Sequence, residues 1–253
     1  MLFAKAERPA PLLNTPHFAH VFSHPLPLDE QGLLRAVEMV ALPGTPFRIQ
    51  KKISPNIYQV STPSYPAPSL FVDQRFLAFS KRAVSLKRSP PQERESLLKA
   101  LYSLQGRRYI WGGNWSRGVK ELLAYYPPER ALSRDAKEVH TLRGLDCTGL
   151  LYEVTFGATP RNSSALLFFG KGLLIERMSA SRIASALEPL DLIVWKGHLV
   201  IAGRAGEVIE SRHPQGVVVT KKEERLSEIL QEKTPVNTPS LDPAAFVVRR
   251  WLF

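Results

Sequence analysis

GLDCTGLLYEVTFG, residues 144–157, is the stretch on which the reading of this chain turns. After Cys147, the apolar residues Leu150, Leu151 and Val154 recur at helical spacing, and Gly157 suits a helix end. Asp146 is a natural N-cap, which places Cys147 in the first turn. The positive helix end and its unpaired N–H groups favour a thiolate there, and the same N–H groups can stabilise an oxyanion. A lone cysteine is otherwise a small buried hydrophobe, so a catalytic reading requires an imidazole to act as base.

The best imidazole belongs to His198. LDLIVW (190–195) and HLVIAG (198–203) read as strands, and GRAG (203–206) as a turn leading into EVIES (207–211). A β-hairpin is therefore expected over 198–210. A five-residue loop centred near Arg204 would set His198 and Glu210 side by side across the ladder. Glu210 could then hold the imidazole in its useful tautomer and stabilise the imidazolium. His213 is a rival for this third place, although it sits in a turn ahead of Pro214.

The wider composition is compatible with this chemistry. The chain has 253 residues, 44% of them hydrophobic and 23% charged, enough to bury one large core or two small ones. One cysteine excludes an internal disulfide and a cysteine-rich zinc site. A net charge of +11 points to anionic partners, but the basic residues fall in scattered pairs without a nucleic-acid motif, so no nucleic acid is expected. His17, His20 and His24 would align on a helix, yet Pro16 and Pro25 bracket them and no acidic partner is near in sequence, so no metal is expected. No run approaches membrane-spanning length and no signal peptide is seen. The expected location is cytoplasmic, or periplasmic or wall-associated given another export route. Oligomeric state is left open.

Residues 29–41 (DEQGLLRAVEMVA) place Leu33, Leu34, Val37 and Val40 on one helical face, and a helix is expected there, stopped by Pro43-Gly44. From Thr45 to about Leu86, short apolar runs (FRI, IYQV, SLFV, RFLAF, AVSL) alternate with turn residues and read as a small barrel or sheet. LKRSPPQER (86–94) marks a boundary. There Ser89 would cap a helix, with Pro90 at its first position and Gln92 completing the box. Leu97, Leu98, Leu101 and Leu104 form its apolar stripe, and Gly106 its C-terminal cap. Residues 220–243 form the most polar stretch and read as a solvated helix and a loop.

Taken together, these segments resemble the NlpC-type cell-wall cysteine peptidases, a papain-like family that cleaves peptidoglycan stem peptides. RYIWGG (108–113) looks like the family's Tyr-x-Tyr/Trp-Gly-Gly segment, and Asp146-Cys147-Thr148-Gly149 like its Asp-Cys-Ser-Gly signature. TPRNSS (159–164) resembles its Pro-Arg-x-Ser stretch, and LEPLDLIVW (187–195) its Pro-Gly-Asp-Leu-Val-Phe/Trp strand. FVVRRW (246–251) carries the familiar basic pair. The resemblance covers about residues 93–253. This chain departs from the pattern at Leu190 and Val200, which replace glycines, at Thr148, which replaces serine, and at Glu210, where histidine is usual. It also carries an insertion at 114–145, read as a change to the cleft rim.

The resemblance implies an α+β fold. A papain-like peptidase domain (89–253), with helices packed on an antiparallel sheet, would follow an N-terminal domain (1–88) containing a β-rich SH3-like barrel. It implies hydrolysis of the bond between the γ-carboxyl of D-glutamate and diaminopimelate or lysine. Cys147 would be nucleophile, His198 base and Glu210 the third member. Tyr109 and the Cys147 N–H would serve the oxyanion. Asp146 and Thr148, with Tyr65 as a guess from the barrel, would recognise a free L-alanine amine. No cofactor is implied, and the expected partners are peptidoglycan or muropeptide stem peptides. The competing readings are a degenerate wall-binding module and a thiol amidase or acyltransferase.

Overall fold

In a computed structural model of the chain, residues 2–86, 88–89 and 93–252 are described. Residues 1–88 supply β1 (Phe3–Ala6), β2 (Ala10–Leu13), the single turn α1 (Phe18–Val21), β3 (Val37–Ala41), β4 (Pro46–Lys52), β5 (Ile57–Ser61), β6 (Leu70–Asp73) and β7 (Leu77–Ser80). Residues 89–107 supply α2 (Arg94–Ser103). Next come β8 (Asn114–Trp115), α3 (Leu122–Tyr125), α4 (Arg134–His140), β9 (Gly144–Leu145) and α5 (Cys147–Val154). The remainder holds α6 (Ser163–Leu166), β10 (Lys171–Gly172), α7 (Ala180–Ala186), β11 (Leu192–Trp195), β12 (His198–Ala202), β13 (Glu207–Arg212), β14 (Gly216–Lys221), α8 (Lys222–Glu232), β15 (Thr234–Pro235) and β16 (Ala245–Arg250).

The chain divides into two compact units, residues 1–88 with 108–149, and residues 89–107 with 150–253. The first contains a seven-stranded antiparallel sheet in the order β3-β2-β6-β5-β4-β1-β7. The insertion packs within this unit. Tyr126 stacks on Phe18 and Phe22, donates its hydroxyl to Asp73 at 2.5 Å, and is held well above its usual pKa by burial and by that carboxylate.

The second unit is built on a sheet in the order β10-β16-β11-β12-β13-β14, antiparallel throughout, with β15 added parallel to β16. Every residue of β11 is buried, as a strand covered on both faces requires. Ile183 of α7 and Leu226 and Ile229 of α8 join Ile193, Val200, Val208, Phe246 and Val248 in one core. Arg250 closes the sheet end by gripping Asp191, with Nε 2.9 Å from Oδ1 and Nη2 2.6 Å from Oδ2.

Two sequence expectations fail. The helix expected over 29–41 is a turn followed by β3. Asp29 Oδ1 accepts the N–H groups of Gln31 (2.9 Å) and Leu33 (2.8 Å), so the backbone turns there, and Gly32 takes φ +74°. Val37, Met39, Val40 and Ala41 are then buried in a strand, where β-branched residues pack well. Ser89 does not cap α2 either. That helix begins at Arg94 with Glu93 at its N-cap, and Pro90 and Gln92 lie outside the described residues. The stripe of Leu97, Leu98, Leu101 and Leu104 is buried, and Gly106 takes φ +78° beyond it.

One backbone contact joins the two glycine motifs. The Gly113 carbonyl accepts the Asp146 N–H at 2.8 Å, and a Cβ on Gly149 would sit 1.9 Å from that same oxygen. Gly149→Ala is expected to lower stability by about 3 kcal/mol through forced displacement of packed backbone. A thermal-melt midpoint equal to that of the wild type would refute this.

Candidate active site

Cys147 is the first residue of α5 and is 9% exposed. Asp146 precedes it as the helix cap. Its Oδ1 accepts the Gly149 N–H at 2.7 Å and the Thr148 hydroxyl at 3.2 Å. β9, paired antiparallel with β8, leads directly into the cap. Tyr109 forms a bridge with Leu145, and the Asn114 side chain exchanges two hydrogen bonds with the Val40 backbone (2.9 and 2.7 Å). The helix ends where Phe156 and Gly157 take positive φ and the Gly157 N–H returns to the Tyr152 carbonyl at 2.8 Å. In the same unit Tyr65 donates its hydroxyl to Glu38 Oε2 at 2.7 Å.

His198 begins β12, beside the tight turn at Gly197 (φ +104°). The Gly197 N–H donates to the Ser163 hydroxyl at 2.9 Å, so the TPRNSS segment anchors the turn that presents the histidine. The Trp195 ring lies 5.0 Å from the imidazole. Leu190, where the resembling family has glycine, takes φ +74°, a conformation costing roughly 1 kcal/mol for a side-chain-bearing residue. Its N–H donates to the Ala202 carbonyl (2.8 Å), its carbonyl accepts the Trp251 indole N–H (2.9 Å), and its side chain is buried. Those contacts offset the strain. Val200, the other glycine departure, lies fully buried in the core.

His198 and Glu210 meet through their side chains: Nε2 lies 2.7 Å from Oε2. The register differs from the expected one. Ile201 pairs with Ile209 and Ala202 with Val208, which sets Val200 opposite Glu210 and makes His198 its diagonal neighbour. The turn is centred on Ala205 instead of Arg204, since Ala202 and Val208 form the last pair before it. Diagonal neighbours share a sheet face, so the contact survives the change. His213 follows the end of β13 in a turn.

Glu210 has no exposed surface. Burial pushes its carboxyl pKa up. Hydrogen bonds from His198 and Arg225 outweigh that effect and bring the pKa below the ordinary glutamate value. An ionised carboxylate only accepts, so Nε2 is the protonated ring nitrogen and Nδ1 carries the lone pair of the neutral imidazole. Arg225 Nε lies 2.7 Å from Oε1 and Nη2 3.1 Å from Oε2. Sequence reasoning assigned Arg225 to a solvated helix. The contact depends on how α8 folds back over the β13–β14 hairpin, and no local spacing announces it. Among the described residues no group of three or more His, Cys, Asp or Glu is disposed to hold a metal ion. His17 precedes α1, His20 lies within it and His24 beyond it, so the three do not share a helix face.

No protein-family model matches the sequence, and no curated protein matches it. Solved structures do. An NlpC/P60 family protein from Bacillus cereus is 16% identical with a TM-score of 0.39, the match covering all of this chain and 64% of that one. This chain thus spans just under two thirds of that relative. RipD from Mycobacterium tuberculosis, described as a non-catalytic NlpC/p60 domain protein adapted to peptidoglycan binding, is 19% identical with a TM-score of 0.34, over 51% of this chain and 86% of its own. NlpC1 from Trichomonas vaginalis is 12% identical with a TM-score of 0.36, over 99% and 69%.

The depressed Glu210 pKa sets a pH dependence. Its stabilising contribution is complete above the unfolded glutamate value of about 4.3 and is lost as pH falls through the lower folded value. The stability difference between wild type and Glu210→Gln should therefore be largest near neutrality and shrink below about pH 4. Urea midpoints measured from pH 3 to 7 check this, and a constant difference would contradict it.

Proposed function

We propose that this chain is a cysteine peptidase of the NlpC/P60 type that hydrolyses peptidoglycan stem peptides between the γ-carboxyl of D-glutamate and diaminopimelate. The observation that carries the reading is the His198–Glu210 hydrogen bond through Nε2, which leaves Nδ1 as the nitrogen able to take a thiol proton. The substrate class rests on the motif resemblance at residues 108–113, 146–149, 159–164 and 187–195.

In this reading His198 takes the proton of Cys147, and the thiolate attacks the scissile carbonyl. The Cys147 N–H and the Tyr109 hydroxyl stabilise the resulting oxyanion. Collapse forms a thioester while the imidazolium gives its proton to the departing amine of diaminopimelate. His198 then removes a proton from water, which adds to the thioester and releases the carboxylic acid and the thiol. Glu210 holds the ring and balances the imidazolium charge. Asp146 and Thr148 recognise the free L-alanine amine at the other end of the substrate, and Asp146 serves this role together with its cap. The seven-stranded antiparallel sheet of the first unit is read as an SH3-like module that supports recognition.

Incubation of the full chain with L-Ala-γ-D-Glu-diaminopimelate should release L-Ala-γ-D-Glu and free diaminopimelate, resolved by mass spectrometry. Cys147→Ala should lower turnover by at least about a thousandfold. Undiminished turnover in that variant would remove Cys147 as nucleophile, and binding without cleavage by the wild type would favour a wall-binding module. A product joined to an added amine would identify an acyltransferase.

Acetylating the substrate's N-terminal amine should raise KM by at least roughly a hundredfold, because the buried Asp146 side chain would face an amide in place of the ammonium. An unchanged KM would remove Asp146 from recognition.

A further inference from the structure

The guanidinium of Arg225 meets the same buried carboxylate that holds His198. It approaches side-on, with Nε 2.7 Å from Oε1 and Nη2 3.1 Å from Oε2, while Nη1 donates to Glu228 Oε2 at 2.9 Å. Only 15% of the Arg225 side chain is exposed. This is a two-pronged, planar match that arginine makes and lysine cannot. Arg212 also faces the site, with Nη1 3.9 Å from Glu210 Oε1 and 4.0 Å from Glu228 Oε2, too far for a hydrogen bond. The Lys233 ammonium lies 5.3 Å from the Trp195 ring, which itself packs 5.0 Å from the imidazole.

A buried glutamate beside an imidazole with no other cation favours keeping a proton on the pair. A base that holds its proton too firmly is slow to give it to a leaving group and poor at taking one from water. We propose that Arg225 is a positioning residue for the His198–Glu210 pair: it neutralises the carboxylate, so that Glu210 orients the ring by a hydrogen bond without locking a proton onto it. This rests on the reading of His198 as the base. It gives a reason why a charged glutamate can stand where the resembling family usually has a neutral side chain.

Removing Arg225 leaves a buried anion that must find another partner. Whether the extra proton lodges on Glu210 or on Nδ1, the pair binds it at higher pH. The test is a proton titration of the full chain with histidine labelled at Cε1 with carbon-13. His198→Gln identifies the His198 resonance among the 6 histidines. In Arg225→Met the midpoint of the pair should move up by at least about one pH unit, a tenfold change in proton affinity. The alkaline limb of the kcat/KM profile should move with it.

Arg225→Lys should return the midpoint most of the way to its wild-type value, since it returns the charge. Arg225→Gln keeps a donor without the charge and carries the test if the methionine variant does not fold. In a Glu210→Gln background, Arg225→Met should leave the midpoint where it was. A folded Arg225→Met or Arg225→Gln protein whose midpoint is unmoved overturns the proposal. The titration needs no substrate, so the two readings fail separately. A shifted midpoint in a chain that cleaves nothing keeps the clamp and removes the peptidase. Turnover with an unmoved midpoint does the reverse.

Discussion

A carboxylate with no exposed surface stays ionised only where donors replace water, and Glu210 has three: His198 Nε2, Arg225 Nε and Arg225 Nη2. Much of the second unit is arranged around that requirement. β12 and β13 bring the imidazole and the carboxylate to one face. The β13–β14 hairpin then delivers α8, which buries Leu226 and Ile229 in the core while turning Arg225 toward the carboxylate. Without Arg225 the buried carboxylate would keep only the His198 hydrogen bond and Arg212 at 3.9 Å, and without Glu210 the guanidinium would keep only Glu228. The set therefore acts as a unit, with the ring's tautomer as its chemical output.

A different constraint governs the first unit. The loop that carries Gly113 and the first turn of α5 must approach until backbone touches backbone, and the Gly113 carbonyl is the meeting point. The approach fixes the N–H of Asp146, whose side chain caps α5 and so places Cys147 at the start of the helix. Any side chain at Gly113 would meet the carbonyls of Gly144 and Ile110 within 3 Å. The glycines matter here because they bring chains together, and their own flexibility is secondary.

Local pattern was enough where the determinants are local. The cysteine helix, its aspartate cap, its glycine end and the alternating strands around His198 could all be read from spacing. Long-range determinants were not legible. Residues 29–41 have helical periodicity, but an aspartate that bends the backbone and a β-branched run that packs in a sheet prevail over it. The hairpin register slipped by two residues relative to the expected pairing, because its turn is centred on Ala205, one residue later than expected; the side-chain contact outlived the error because a two-residue slip preserves the face. Arg225 was invisible in sequence for a similar reason. Its helix looks solvated until the fold carries it onto the hairpin.

Catalysis in the proposed reading requires Cys147 to react as a thiolate assisted by His198, and the chain's single cysteine makes that directly measurable. The rate of Cys147 alkylation by iodoacetamide should be followed from pH 5 to 9 in the wild type and in His198→Ala. Alkylation should be rapid near pH 6, far below the value of about 8.5 at which an ordinary thiol ionises, and should disappear without the imidazole. A single rise near pH 8.5, the same in both proteins, would contradict it.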